Sequence, residues 1–332
     1  MEPYPLLFEP IYKPKLWGGR RIFDHFNREP VGSEPIGESW ELVDLEGDAS
    51  RARNGPAKGR TLTELVKRWG RALLGNADLF EGRFPLLIKY LDARENLSIQ
   101  VHPTEQVARE LGGNVRVKHE AWYVLDADPA GVIYHGLEPG VSRDVFVEAM
   151  RTGLVEGVLR KISVSQGDCY YLPSGTPHAL GAGVLVAEVQ TPSDITYRTY
   201  DWGRVDPASG KPRELHLEQA VRCIDFTSPP ASPMQQHLHL GTTMATVTRL
   251  VGCPCFVMDK LDIAQGVTQD APMESFAIWV LLKGLGRVEW GSGEERLDCR
   301  PGDVVLVPAG LGEVRARAIT PAQWLEVTVP AR

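Results

Sequence analysis

Glycine and proline punctuate this chain from end to end, and that punctuation restricts the fold more than any other feature. The 332 residues include 33 glycines and 25 prolines, with short runs rich in β-branched residues between them. Such a pattern predicts many short strands closed by turns, hence a sandwich or barrel. Helical spacing is confined to a few places. Leu62, Leu65, Val66, Trp69 and Leu73 recur at helical intervals, with Thr61 or Thr63 as cap. Thr104 to Leu111 and Arg143 to Thr152 are shorter candidates; Ser142 caps the latter, and Val145, Phe146 and Met150 share one of its faces. The expected fold class is mainly β with a few short helices. At 43% hydrophobic content the chain can bury a sizeable core, and its length suits more than one domain.

A weak internal repeat refines this. Gln166-Gly167-Asp168 leads through Tyr170, Tyr171 and Leu172 to Pro173-Ser174-Gly175. Pro301-Gly302-Asp303 leads through Val304 to Val307 and on to Pro308-Ala309-Gly310. Both read as turn, strand, turn, and the Gly-Asp pair suits a turn that needs permissive backbone and a local side-chain acceptor. In this the sequence resembles the cupins, small antiparallel barrels whose second motif has the Gly-Asp…Pro-x-Gly form. Two copies imply a double cupin, two antiparallel β-barrel or jelly-roll halves. The first copy continues to His178, whereas no histidine follows His239. An imidazole ligand after the turn is therefore available to the first copy alone. Residues 1–235 are expected to form the catalytic half with the metal site, and residues 236–332 a cupin-like barrel without ligands. The junction is expected between about Asp225 and Val251, where Thr227-Ser228-Pro229-Pro230 and Ser232-Pro233 interrupt the pattern.

Charge narrows the partners. Thirty-six Lys and Arg against 43 Asp and Glu leave a net charge of -7. Such a chain has no general attraction to nucleic acid or anionic membranes, so an anionic substrate must be met by a local cluster of cations. No apolar run is long enough to span a bilayer, and Met1 to Phe8 lack a basic stretch followed by an apolar run, so no signal peptide is expected. The five cysteines, at positions 169, 223, 253, 255 and 299, are odd in number and irregular in spacing. Reduced, mostly buried thiols in a cytoplasmic protein are the expectation.

Three separated segments carry residues suited to a metal. In Leu97-Ser98-Ile99-Gln100-Val101-His102-Pro103, strand alternation puts Ser98, Gln100 and His102 on one face and Leu97, Ile99 and Val101 on the other. In Lys118-His119-Glu120, Lys118 and Glu120 share a face; an exposed edge strand would show the same pattern. His178 follows the Pro-Ser-Gly-Thr-Pro turn. Two imidazoles and a carboxylate (His102, Glu120, His178) suit a catalytic zinc with an open position, and Gln100 adds a neutral oxygen. The same set also suits non-haem iron. A fourth segment, Glu188 to Arg198, places Glu188 and Gln190 on one strand face and ends in a charged stretch with Asp194, Arg198, Asp201 and Arg204.

In order and local spacing these segments resemble type I mannose-6-phosphate isomerase, in the compact bacterial form that lacks a large helical insertion. The resemblance runs from Pro14-Lys15-Leu16-Trp17-Gly18-Gly19 through Gly37-Glu38-Ser39-Trp40-Glu41 to Tyr197-Arg198-Thr199-Tyr200-Asp201, and weakens beyond His216. It implies one zinc per chain, with Gln100, His102, Glu120 and His178 as ligands, Gln100 being dispensable in compact members. It implies Arg198 as the catalytic arginine and Lys89 and Ser98 as phosphate contacts. Glu188, Asp194 and Lys118 fall on other active-site positions. His119 stands where longer members carry proline; as the strand neighbour of Glu120 it is expected to point away from the metal.

The reaction so implied moves a proton between C1 and C2 of a sugar phosphate through an enediolate. Glu188 is the first choice as base, because a carboxylate in a barrel pocket has a raised pKa; Asp194 and Lys118 are alternatives. The expected partner is a small sugar phosphate, for a monomer or a homodimer, with neither nucleic acid nor membrane. Two other readings stay open: another metal-dependent cupin such as an iron dioxygenase, and a sugar-phosphate-binding regulatory module. The cations Lys89, Lys118 and Arg198 speak against an apolar oxygenase substrate.

Overall fold

The two Gly-Asp turns fold alike. The computed structural model describes residues 1–113, 115–206, 209–227, 238–241, 244–272 and 274–330. In it Gly167 and Gly302 adopt φ of +94° and +88°, a region that only glycine enters without strain. The next residue closes each turn: Asp168 accepts from the Ser165 amide at 2.8 Å, and Asp303 from the Arg300 amide at 2.9 Å. The strands Cys169–Leu172 and Val304–Val307 start from these turns.

Each copy lies in its own compact unit. One unit gathers Met1–Ile11, Trp40–Leu87 and Met234–Arg332; the other gathers Tyr12–Ser39 and Ile88–Pro233. The units thus interleave along the chain, and the segments before Ile88 are divided between them. The expected junction between residues 235 and 236 lies outside the described residues.

The unit with the first turn builds on two sheets. A six-stranded sheet runs in the order Ile11–Gly19, Ile36–Leu42, Leu87–Ala93, Val184–Gln190, Glu120–Ala127, Cys169–Leu172. A five-stranded sheet runs Tyr197–Tyr200, Ile99–Val101, His178–Leu180, Val132–Leu137, Leu159–Ser163. Trp17, Trp122, Val124, Tyr170 and Val186 from the first sheet pack against Ile133 and Leu180 from the second. Two sheets sharing one core is jelly-roll packing. On its other side the five-stranded sheet sends Ile99 and Val101 into a second cluster with Val107, Phe146 and Ala220, from the helices Glu105–Leu111, Arg143–Thr152 and Leu217–Cys223.

The other unit repeats the plan with seven strands and four. Trp279, Trp324 and Leu261 of its larger sheet pack against Val288, Val314 and Ala316 of the smaller. The chain is therefore mainly β, a double cupin with few helices.

The helices follow their caps. Thr61 and Glu64 form a reciprocal capping box at the start of Leu62–Trp69, and Gly70, at φ +49°, separates that helix from Arg71–Leu74. Thr104 and Ser142 cap their helices through side-chain oxygens. Val145 departs from expectation: it is 47% exposed, and Phe146 and Ala149 form the buried face instead. Arg21–His25 and Leu217–Cys223 carry no side-chain cap to mark them in the sequence. Cys169, Cys223, Cys253 and Cys299 are buried. Among the described residues no helix is long and apolar enough to cross a membrane.

Candidate metal centre

Strand register brings the separated segments together. On the five-stranded sheet His178 lies directly opposite Gln100 on one side and His135 on the other, and Gln100 lies opposite Arg198. Directly opposed residues share a face. On the six-stranded sheet Glu120 opposes Gln190, and Trp122 opposes Glu188. The wall facing the core thus grades from Val124 and Val186 through Trp122 to Glu188, Glu120 and Gln190.

His102, Glu120 and His178, all buried, form a group able to hold a metal ion, their ligand atoms within 4.8 Å of one another. The His102 Nδ1 lies 2.9 Å from the Ile195 carbonyl, and the His178 Nδ1 lies 2.9 Å from the Thr176 carbonyl. A carbonyl only accepts, so Nδ1 is the protonated nitrogen in each ring, and Nε2 presents a lone pair when the ring is neutral. Both Nε2 atoms sit 3.2 Å from Glu120 Oε2. Burial, with the Lys118 charge, pushes His102 down to about 3, so its ring is neutral. A buried carboxylate oxygen facing imidazole lone pairs is acceptor against acceptor, an arrangement that a cation between them would resolve.

Lys118 serves the other oxygen. Its Nζ lies 2.5 Å from Glu120 Oε1 and 3.5 Å from His102 Nε2. Burial alone would raise the Glu120 pKa, but the Lys118 charge holds it well below the usual carboxylate range. Gln100 offers its amide nitrogen to His178 Nε2 at 3.3 Å; a half-turn of that amide would present oxygen as a fourth, neutral ligand.

The remaining site residues fall at different depths. Glu188 is buried, its Oε2 accepting from Trp122 Nε1 at 2.8 Å and its Oε1 lying 3.6 Å from Lys89 Nζ. Burial pushes its carboxyl up, and the charge of Glu120 adds to this against the pull of Lys89. Lys89 is buried between Glu188 and Glu38. Ser98 is buried just before the Ile99–Val101 strand. Asp194 is exposed on the loop before Tyr197–Tyr200, near enough to Lys89 to favour its charged form. Arg198 shares the Gln100 face, and its Nη1 donates to the Glu214 carbonyl at 2.8 Å. Asp201 does not join the metal group; it holds Arg204 and Arg213. His119 bonds through Nδ1 to the Tyr171 hydroxyl at 2.8 Å and stays outside the metal group.

Three participants were not assigned from sequence. Glu38 sits in the quoted Gly-Glu-Ser-Trp stretch, but nothing local shows that it reaches Lys89. Trp122 reads as core, and also orients Glu188. His135, buried beside His178, bonds the Tyr171 carbonyl through Nε2 and has no sequence signal beyond its strand.

Two jelly rolls, one of them carrying a buried His-Glu-His set, define a cupin of the metal-site class. The sequence profile described as phosphomannose isomerase type I, catalytic domain, matches residues 6–129. The chain is 35% identical over 316 residues to mannose-6-phosphate isomerase ManA of Bacillus subtilis (strain 168), covering 95% of this chain and 96% of that one. A crystal structure of the mannose 6-phosphate isomerase from Bacillus subtilis superposes with a TM-score of 0.88 at 33% identity, covering 98% of this chain and 100% of that one. A zinc-bound mannose 6-phosphate isomerase shares the fold at a TM-score of 0.74 and 16% identity, covering 98% of this chain and 100% of that one. This chain belongs to the type I mannose-6-phosphate isomerase family of aldose–ketose isomerases.

Proposed function

We propose that the chain interconverts mannose 6-phosphate and fructose 6-phosphate through an enediolate, at one zinc ion held by His102, Glu120 and His178. The observation that carries this reading is the pair of Nε2 atoms trained on Glu120 Oε2 while both Nδ1 atoms are tied to carbonyls. Three such ligands leave a position open, the pattern of a catalytic site. Zinc is the metal named for the fold relative. When bound, it would supply Lewis acidity toward the sugar oxygens.

The chain's own groups divide the remaining work. Glu188 is the proposed base at the C1–C2 pair: Trp122 fixes its Oε2, which leaves Oε1 to take the proton. Lys118 and Asp194 are the alternatives. Arg198, charged at every working pH, stabilises the enediolate or clamps the phosphate with its planar donors. Lys89 and Ser98 are the proposed contacts for the phosphate, which orients the reacting end.

A coupled assay of mannose 6-phosphate conversion tests this, run on purified, chelated and zinc-restored protein. Activity is expected to vanish with chelation and return with zinc. Absence of turnover by folded, zinc-loaded protein would reject the assignment for this substrate.

A further inference from the structure

A row of alternating charge crosses the six-stranded sheet beside the metal centre. Lys15, Glu38, Lys89 and Glu188 stand on four consecutive strands of that sheet. Lys15 Nζ lies 3.0 Å from Glu38 Oε1, while Lys89 Nζ lies 3.6 Å from Glu38 Oε2 and 3.6 Å from Glu188 Oε1. Side-chain exposure falls along the row, from 36% at Lys15 to 12% at Glu38, 4% at Lys89 and 3% at Glu188. Trp122 closes the inner end by donating to the other oxygen of Glu188.

We propose that Glu38 is a positioning residue that shares the single charge of Lys89 with Glu188 and so sets both the strength of the base and the grip on phosphate. The inference rests on the roles given above to Glu188 and Lys89. One ammonium stands at equal distance from two carboxylates, in a buried setting where salt does little to screen it. Glu120, Asp194 and Lys118 also act on this pair, and Glu38 and Glu188 flank Lys89 as close ion-pair partners. When substrate binds, its phosphate becomes a third claimant on Lys89. The charge of Glu38 weakens that claim, and it leaves Glu188 only partly compensated and therefore more basic. Lys15, nearer the surface, offsets Glu38 and moderates its pull on Lys89.

The sign of the kinetic change separates this from a packing role. In Glu38→Gln, Lys89 turns to Glu188 and to phosphate. The expected result is a kcat roughly three- to tenfold lower, since a weaker base transfers the proton more slowly, with KM for mannose 6-phosphate lower as well. Calorimetry on the zinc-loaded protein should show inorganic phosphate binding about threefold tighter, as expected for one neighbouring anion removed. Lys15→Met should act oppositely, with weaker phosphate binding and higher KM. A Glu38→Gln protein whose KM and phosphate affinity are unchanged or weakened would overturn the proposal. If Glu38→Gln does not fold, Lys15→Met decides, and unchanged phosphate affinity there overturns it. If the wild type does not turn over mannose 6-phosphate, the functional reading fails separately. The phosphate calorimetry then judges the charge sharing alone, and unchanged affinity in Glu38→Gln rejects it.

Discussion

Glu120 and Glu188 stand on neighbouring strands of one wall, and their proton affinities are driven apart. Both are buried, which alone would raise both. The Lys118 charge reverses this at Glu120, whereas at Glu188 the negative charge of Glu120 reinforces it. Carboxylates separated in this way can take different roles, as in the proposed division into ligand and base. Glu188→Gln is expected to lower kcat by about a hundredfold or more, the range for loss of a general base, with zinc content by metal analysis unchanged. Near-normal turnover would remove Glu188 from the role. The identities of these residues were legible because each sits in a short distinctive segment. What they touch was not, since Lys89 and Trp122 reach Glu188 from other strands.

Among the elements, helices were legible where a cap and an apolar stripe coincide. The segment after Thr61 shows both, and its capping box is formed: Glu64 Oε2 accepts from the Thr61 amide at 2.7 Å, and Thr61 Oγ1 accepts from the Glu64 amide at 3.2 Å. Thr61→Ala is expected to cost about 1 kcal/mol of stability, read as a lower midpoint in urea without change in slope. A shift indistinguishable from zero would mean that the box contributes nothing net. The Leu97–Pro103 alternation was legible too, although regular pairing covers only Ile99–Val101. Pro103 and the bulge in the neighbouring Arg198 strand limit the ladder there.

At the scale of the molecule, the unit without the metal group carries a charge row of its own. Arg249, Asp259, Glu326 and Trp279 face one another across consecutive strands, and Trp279 Nε1 donates to Glu326 at 2.7 Å. Burial pushes Glu326 up to about 7; the charge of Asp259 adds to this, while the Trp279 bond and Arg249 oppose it. An ordinary unfolded glutamate lies near about 4.3. The folded protein therefore binds the extra proton between these values. Its contribution to stability is full below about 4.3 and is lost as pH rises through about 7. Glu326→Gln, which keeps an acceptor for Trp279, should raise Tm relative to wild type at pH 8 by more than at pH 5. An equal difference at both pH values would contradict this assignment.

By itself the sequence determined the strand-and-turn texture, the two Gly-Asp turns, the helix caps and the candidates for metal ligands. These depend on local matters: positive φ at Gly167 and Gly302, a hydroxyl three residues from an amide, alternation along a strand. Tertiary structure decided which ring nitrogen of His102 carries its proton, because the accepting Ile195 carbonyl comes from a loop far along the chain. It decided that Lys89 lies between Glu38 and Glu188, because that contact requires strands far apart in the chain to lie side by side. It also decided the interleaving of the units, because segments before Ile88 find their apolar partners in both. Long-range contacts of this kind reward the chain only after it has closed, so no local pattern records them.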